Sequence, residues 1–288
     1  MKHYFIINPA AGQGKAQNEL KEKIISAAEK NSIEYEINHT TCVGDAERFV
    51  RSVCSDLTEK ARFYACGGDG TLSEVGNGAY GCENAEITVI PVGTGNDFAK
   101  DLSRDAYSIP RPINWYIKDL PIVEVHGKKY RFFNGVGFGI DGYCCQVGDE
   151  LRKEAQEVNY TSIAVKGLLR HFDARSARIT VDGETFTYEK VWIAPTMYGR
   201  YYGGGMMAAP DQRRWDKEKR LSLVIFHGAG RLRTLCIFPS IFKGRHINHK
   251  KYVTVHTGTN IKVEFDRPTP LQIDGETVPN VTSYTAFI

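Results

Sequence analysis

The 288-residue sequence predicts an α/β plus all-β protein: a Rossmann-like parallel α/β domain over residues 1–118, then an antiparallel β-sandwich domain with inserted helices over residues 119–288. Three observations carry that expectation. Up to about Ile117, short apolar runs alternate with segments of helical period, the rhythm of a parallel sheet covered by helices. Several of those runs end in glycine-rich turns. Beyond Ile117 the runs become short, alternating or aromatic, and Gly127-Lys128 and Asp182-Gly183 mark tight hairpin turns between them. No repeat or low-complexity linker separates the halves, so a compact hinge near Lys118-Asp119 is expected.

Lys2 to Ile7 reads as a buried strand running into Asn8-Pro9-Ala10-Ala11-Gly12-Gln13-Gly14-Lys15. The end of that stretch imitates a P-loop, but the upstream glycine is missing and Ala16 stands where Ser or Thr would bind magnesium. A second phosphate contact and an ordinary βα turn both fit it. Leu20, Ile24, Ile25 and Ala28 at helical spacing predict a helix from about Lys15 to Asn31. Tyr35 to Asn38 is the next strand, ending at His39-Thr40-Thr41. Asp45 is the expected N-cap of a helix over 46–57. Phe63 to Cys66 leads into Gly67-Gly68-Asp69-Gly70-Thr71 and a helix opening Leu72-Ser73-Glu74-Val75, with Thr71 as the expected cap. Ile87 to Ile90 leads into Pro91-Val92-Gly93-Thr94-Gly95-Asn96-Asp97-Phe98-Ala99, a second glycine turn before a short helix.

In the second half, strands are expected at 122–125, 130–133, 177–181, 191–193, 221–226, 252–256, 261–265 and 271–273, interrupted by helices at 160–172 and 232–242. The chain is 42% hydrophobic and 25% charged, with a net charge of +3 from 37 basic and 34 acidic residues. That charge is too mild to argue for nucleic acid and suits visits to anionic surfaces. Seven scattered cysteines without a CxxC pair, and no signal-peptide pattern, lead to the expectation of reduced thiols in the cytosol. No apolar run approaches the ~20 residues of a membrane span.

In parallel sheets, ligands bind beyond the carboxyl ends of the strands. The glycine loops named above all lie there, so they can converge on one site. Glycines let the backbone approach a bulky anion, and amides at a helix start face it. Asp69 is the odd member, since a carboxylate beside phosphate repels it unless it holds a metal or orients a donor.

Asn8-Pro9 with Gly12, Gly67 to Thr71, Gly93 to Ala99, Phe133-Asn134-Gly135-Val136-Gly137-Phe138-Gly139-Ile140-Asp141 and Asp274-Gly275-Glu276 together resemble the diacylglycerol kinase/sphingosine kinase superfamily of lipid kinases, in its bacterial soluble form. The resemblance implies an N-terminal nucleotide domain, a C-terminal β-sandwich domain, an active site in the cleft between them, and phosphorylation of a lipid hydroxyl by ATP with Mg2+. By motif it places Asn8, Pro9, Gly12, Thr40 or Thr41, Gly67, Gly68, Asp69, Gly70, Thr71, Ser73, Glu74, Thr94 and Asn96 at or beside the nucleotide. Asp69 and Asp97 would form an acidic network near the phosphates. Glu124 falls where relatives often carry another acid. Asp274, or failing it Glu276, matches the general base, although Asp-Gly alone is also a common turn pair. A carboxylate of ordinary pKa near 4 cannot strip an alcohol first, but it can orient the hydroxyl and accept the proton late.

The sequence departs from the family at 209–221, where many bacterial relatives carry an acidic metal loop. Basic residues crowd this stretch, leaving Asp216 and Glu218 as metal candidates beside the alternative of a solvated, ion-paired loop. Tyr198 to Met207 is expected as an adaptable apolar rim for the lipid. Lys243 to Lys251 reads as a basic run for anionic headgroups or as a solvated connection. Leu168, Leu169 and Phe172 read as core or as a lid. The expected partners are ATP and a lipid at a membrane surface, with a homodimer a further option and no nucleic acid. The expected location is the cytoplasm, with transient contact at the inner face of the membrane. A NAD kinase, a non-catalytic nucleotide- or lipid-binding protein and a flavin- or dinucleotide-binding oxidoreductase are the competing readings.

Overall fold

The computed structural model describes residues 1–14, 17–93, 95–102, 112–154, 156, 158–214 and 217–288. Its contacts divide the chain into two compact units, Met1–Lys118 and Asp119–Ile288.

The first unit runs β1 (Lys2–Ile7), α1 (Gln17–Lys30), β2 (Tyr35–His39), α2 (Asp45–Ser55), β3 (Ala61–Gly67), α3 (Asp69–Gly78), β4 (Ala85–Pro91), α4 (Asp97–Asp101) and α5 (Asn114–Ile117). The strands form one parallel sheet in the order β2-β1-β3-β4. Ile6, Ile7, Phe63 and Cys66 are buried almost completely, as strands covered on both faces require. The register decides the function-bearing edge. Ile7 lies beside Cys66 and Gly67 beside Pro91, so β1, β3 and β4 end level. Asn8, Gly67-Gly68 and Val92-Gly93 therefore leave the sheet together, and the Thr40 amide donates to the Ile7 carbonyl at 3.0 Å to bring in the end of β2.

Two helix caps differ from the sequence expectation. Helix α2 is capped at Gly44, with φ at +80°, and Asp45 is its first residue. Asp45 instead accepts the Thr41 amide and hydroxyl, both at 2.8 Å. Helix α3 is capped at Gly68 and Thr71 lies inside it. In each case a glycine makes the turn, and the side chain expected to cap is used elsewhere.

The second unit contains β5 (Ile122–Val125), β6 (Lys128–Arg131), β7 (Gly135–Phe138), α6 (Ile140–Lys153), α7 (Tyr160–Lys166), β8 (Arg175–Val181), β9 (Glu184–Val191), β10 (Thr196–Met197), β11 (Leu221–Phe226), α8 (Arg231–Ile237), β12 (Val253–Gly258), β13 (Asn260–Ile273) and β14 (Glu276–Phe287). Its ten strands form one antiparallel network along β12-β11-β10-β7-β13-β14-β5-β6, with the β8–β9 hairpin also joined to β13. The 14-residue β13 pairs with β8 through Ile261–Phe265 and with β7 through Leu271–Ile273, and its pairing to β14 shifts register between the two segments. The Phe138 and Phe265 rings stack at 3.9 Å. His126-Gly127, Asp182-Gly183 and Asp274-Gly275 all take positive φ at both residues, the geometry of tight two-residue hairpins.

Helix α6 was not expected from the sequence. Its core-facing positions include Gly142, where a Cβ would overlap the Pro270 carbonyl on β13. Glycine and cysteine there admit a close helix–sheet approach, and they hide the apolar period that marks most helices. The stretch Tyr198–Met207 also departs from its expected role as a flexible rim. Tyr198 and Tyr202 are 5% and 4% exposed, and Tyr202 exchanges backbone hydrogen bonds with Met206. Leu168 and Phe172 belong to the core, while Leu169 is outside it. Among the described residues no helix is long and apolar enough to cross a membrane.

Candidate functional site

In the first unit, the carboxyl edge of the sheet is tied into one cradle by its own polar groups. Asp69, in the first turn of α3, accepts the Asp97 amide at 2.9 Å and the Phe98 amide at 2.8 Å. Its carboxylate thus caps the start of α4 from a separate loop. Charge-assisted bonds of this kind are the stronger class. The two glycine loops also touch through backbone: Val92 and Gly93 amides donate to the Gly67 carbonyl at 3.1 and 3.3 Å. A Cβ on Gly93 would stand 2.5 Å from the Gly68 Cα. A Cβ on Gly67 would overlap the Thr71 side chain, whose hydroxyl accepts the Asn8 side-chain amide at 3.3 Å. Asn8 in turn accepts the Ala10 amide through Oδ1 at 3.0 Å. Gly12 sits nearby in the chain at φ +60°.

The cradle fits a polyphosphate and its cation by two observations. Gly70 has no atom within 4 Å of the Cβ it lacks, so protein packing does not explain its glycine. Asn96 holds a left-handed backbone, φ +51°, and donates to the Gly93 carbonyl at 2.6 Å, while its Oδ1 is buried with no hydrogen-bond donor among the described residues. Buried polar atoms of that kind are uncommon, and a carbonyl oxygen suits a hard cation or a ligand N–H. Asp97 is 3% exposed beside it, with the Lys100 ammonium at 3.9 Å from its carboxylate. Thr94 and Lys15 lie outside the described residues.

Glu74 has a different occupation from the one its motif implies. Its two oxygens accept the Gly44 and Ala46 amides at 2.9 and 3.0 Å, closing the start of α2. Ser73 contributes its carbonyl to the Asn77 side chain at 2.9 Å. Pro9 and Thr40 are half-buried at the ends of their strands.

In the second unit, Asp274 stands at the tip of the β13–β14 hairpin with φ +48°. The turn reading and the functional reading therefore coincide at one residue. Its carboxylate accepts three consecutive amides: Phe133 at 2.5 Å, Asn134 at 2.8 Å and Gly135 at 3.1 Å. Its own amide donates to the Gly135 carbonyl at 3.1 Å. Glu276, two residues on, is exposed at the start of β14. Glu124 projects from β5 opposite Lys129, 3.9 Å away, and is exposed.

Two buried groups behind this turn escaped the sequence reading. Arg214, 5% exposed, donates to the Phe133 carbonyl and, at 2.5 Å, to Asn134 Oδ1. It thereby fixes the segment whose amides hold Asp274. In the sequence it is one of several cations in a loop and carries no sign of burial. Asp141, 8% exposed, accepts the Tyr202 hydroxyl at 3.2 Å. Burial pushes its carboxyl up to about 6 despite that bond. Asp141 closes the Phe133–Asp141 motif, which is the signal that could have found it. Of the metal candidates, Glu218 is ion-paired with Arg220 and Asp216 lies outside the described residues. No group of three or more His, Cys, Asp or Glu among the described residues is placed to hold a metal.

Comparison with known proteins matches the diacylglycerol kinase catalytic domain over residues 2–119. The YegS C-terminal NAD kinase beta sandwich-like domain matches residues 134–286, just over half of the chain. A protein named diacylglycerol kinase from Bacillus subtilis (strain 168) is 28% identical, the alignment covering 94% of this chain and 88% of that one. Another of that name from Staphylococcus carnosus (strain TM300) is 27% identical, over 94% and 87%. A crystal structure titled as a diacylglycerol kinase from Bacillus anthracis str. Sterne superposes with a TM-score of 0.62 at 20% identity, over 99% of this chain and 93% of that one, and shows the same fold. The chain belongs to the diacylglycerol kinase family of lipid kinases and is a phosphotransferase.

Proposed function

We propose that the chain transfers the γ-phosphoryl group of ATP, with Mg2+, to the hydroxyl of diacylglycerol or a related lipid. The observation that carries the reading is the Asp69 bridge, which joins the loops leaving β3 and β4, while the Asn8–Thr71 bond brings in the end of β1. ATP supplies the transferred group, and Mg2+ would offset the charge of its phosphates, with Asn96, Asp97 and Asp69 the oxygen donors at hand.

In this reading the residues of the chain position and orient. Phosphoryl transfer is mostly positioning and charge stabilisation. The amides of Gly67 to Gly70 and the Asn8 and Thr71 side chains line the path of the phosphates. Each charge-assisted hydrogen bond contributes about 1.5–3 kcal/mol, so several outweigh the ~0.3–1 kcal/mol of one helix end. Asp274 orients the acceptor hydroxyl and takes its proton as the new P–O bond forms. Three amides fix the direction of its carboxylate, with Glu276 the other acid of the turn.

The test is transfer of labelled phosphate from ATP to vesicles carrying diacylglycerol, phosphatidylglycerol, a sphingoid base or ceramide, with NAD as a separate acceptor. Transfer to a lipid and not to NAD is expected, with loss in Asp69→Ala and Asp274→Ala. Phosphorylation of NAD alone would make the chain a NAD kinase. Nucleotide binding without transfer to any acceptor would make it a binding protein.

A further inference from the structure

In the second unit, α8 and the 3-10 turn that continues it (Phe238–Lys243) form one helical run with two apolar faces. Thr234, Ile237 and Ile241 are buried in the core. On the opposite side Leu232, Cys236, Pro239 and Phe242 are exposed at spacings of four, three and three residues, a single helical stripe. Leu232 is 73% exposed and Phe242 46%. At a rise of ~1.5–2 Å per residue, the stripe is roughly 15–20 Å long. Single exposed apolar residues are ordinary, but an ordered stripe marks a contact surface.

The surroundings define the partner. Arg233 and Lys243 flank the stripe and are exposed. From Lys219 to Val263 the sequence carries nine Lys or Arg and no Asp or Glu. The π-helical turn Gly167–His171 adds Leu169, 42% exposed, with Arg170 and His171 beside it. Arg231 ties this turn to the start of α8 by donating to the Leu168 and Phe172 carbonyls at 3.0 and 2.7 Å. Asp173, which follows the turn, is taken up by the same arginine at 2.5 Å.

We propose that this face docks on an anionic phospholipid bilayer. Leu232, Phe242 and Leu169 enter the headgroup layer, and Arg233, Lys243 and Arg170 meet lipid phosphates. Apolar residues rimmed by Lys and Arg are the pattern of an interfacial helix, and basic clusters are drawn to anionic leaflets. A second copy of the chain is the poorer occupant, because a two-fold contact would set this positive face against itself. The inference rests on the lipid acceptor proposed above and adds the surface by which the protein reaches it.

The experiment is flotation of the full chain with phosphatidylglycerol/phosphatidylcholine vesicles and with pure phosphatidylcholine vesicles, without ATP. Wild type is expected on the anionic vesicles only, and less at high salt. Leu232→Ser/Phe242→Ser and Arg233→Glu/Lys243→Glu should each weaken binding at least tenfold. These side chains are exposed, so thermal midpoints should stay put. Transfer of phosphate to dispersed dioctanoylglycerol is read in parallel and should be unchanged in both variants. Absence of that transfer in wild type, with vesicle binding intact, removes the kinase reading and leaves the docking face standing. Equal vesicle binding by wild type and both variants, or none by wild type, overturns the docking face. So does wild-type self-association in lipid-free sedimentation that the variants lose without any vesicle binding, which would make the stripe a subunit contact.

Discussion

Asp69 and Asp274 are both carboxylates held by main-chain amides, yet they do opposite jobs for their surroundings. Asp69 reaches across from α3 to close the start of α4, so the carboxylate organises the loops. Asp274 is itself organised: amides 133–135 aim it, and Arg214 steadies those amides from behind. The difference teaches that removing Asp69 should damage a binding surface, whereas removing Asp274 should damage one step.

The sharpest way to break that comparison is a kinetic split. Asp274→Asn should lower kcat about 10³-fold or more, of the order expected when a positioned acid–base group is lost, with KM for ATP near wild type. It should also cost about 1–3 kcal/mol of stability, since the new NH2 faces amide donors. Asp69→Asn should instead raise KM for ATP at least as steeply as it lowers kcat. The same pattern in both variants, measured by steady-state kinetics on one lipid, would erase the distinction.

A third carboxylate, Asp141, is buried and accepts the Tyr202 hydroxyl and the amide of its neighbour Gly142, where Asp69 accepts two amides and Asp274 three from other loops. Its carboxyl is pushed up to about 6 from the usual range. The sign follows from which form the fold prefers. The neutral acid is favoured, so its contribution is full below pH ~4 and is lost as pH rises through about 6. At ~1.4 kcal/mol per pH unit, Asp141→Asn should gain on wild type by up to roughly 3 kcal/mol between pH 4 and 6.5. Urea midpoints across that range test it, and parallel curves would refute it.

Smaller effects come from two glycines and a glutamate. Gly70→Ala should leave the thermal midpoint unchanged and weaken ATP about tenfold in calorimetry. Gly93→Ala should lower both, because its Cβ meets Gly68. Unaltered ATP affinity in Gly70→Ala would remove that loop from the nucleotide. Glu74→Gln should cost about 1 kcal/mol of stability, the usual size of a lost cap, with KM for ATP unmoved. A raised KM would restore the nucleotide role its motif implies.

These contrasts also show how far the sequence could be read. The parallel sheet was legible because the first two apolar runs are each followed by a helix of amphipathic period, and the glycine loops were legible because they end three of the four runs. The caps were not. Asp45 and Thr71 are adequate local candidates that lie inside their helices, and nothing in the neighbourhoods of α2 and α4 announces that Glu74 and Asp69 arrive from other loops to close them. Helix α6 was hidden by glycine where it meets the sheet. Arg214 was hidden for a related reason: in a run of cations, one that turns inward looks like the rest. Tyr198 and Tyr202, set among glycines, were read as an exposed rim, although ring contacts and the Asp141 bond draw them inside. Local pattern reports the secondary structure, but which polar groups meet depends on pairings far apart in the chain.

The route of β13 carries one more consequence, for the order of assembly. The first unit joins strands made soon after one another, so its cradle can close while later residues are still being synthesised. The hairpin tip cannot: residues 133–135 must wait for a partner about 140 positions downstream, and long-range pairings of that kind form slowly. On the assignment proposed above, a nascent chain of this protein should therefore close its nucleotide cradle well before Asp274 is held in place.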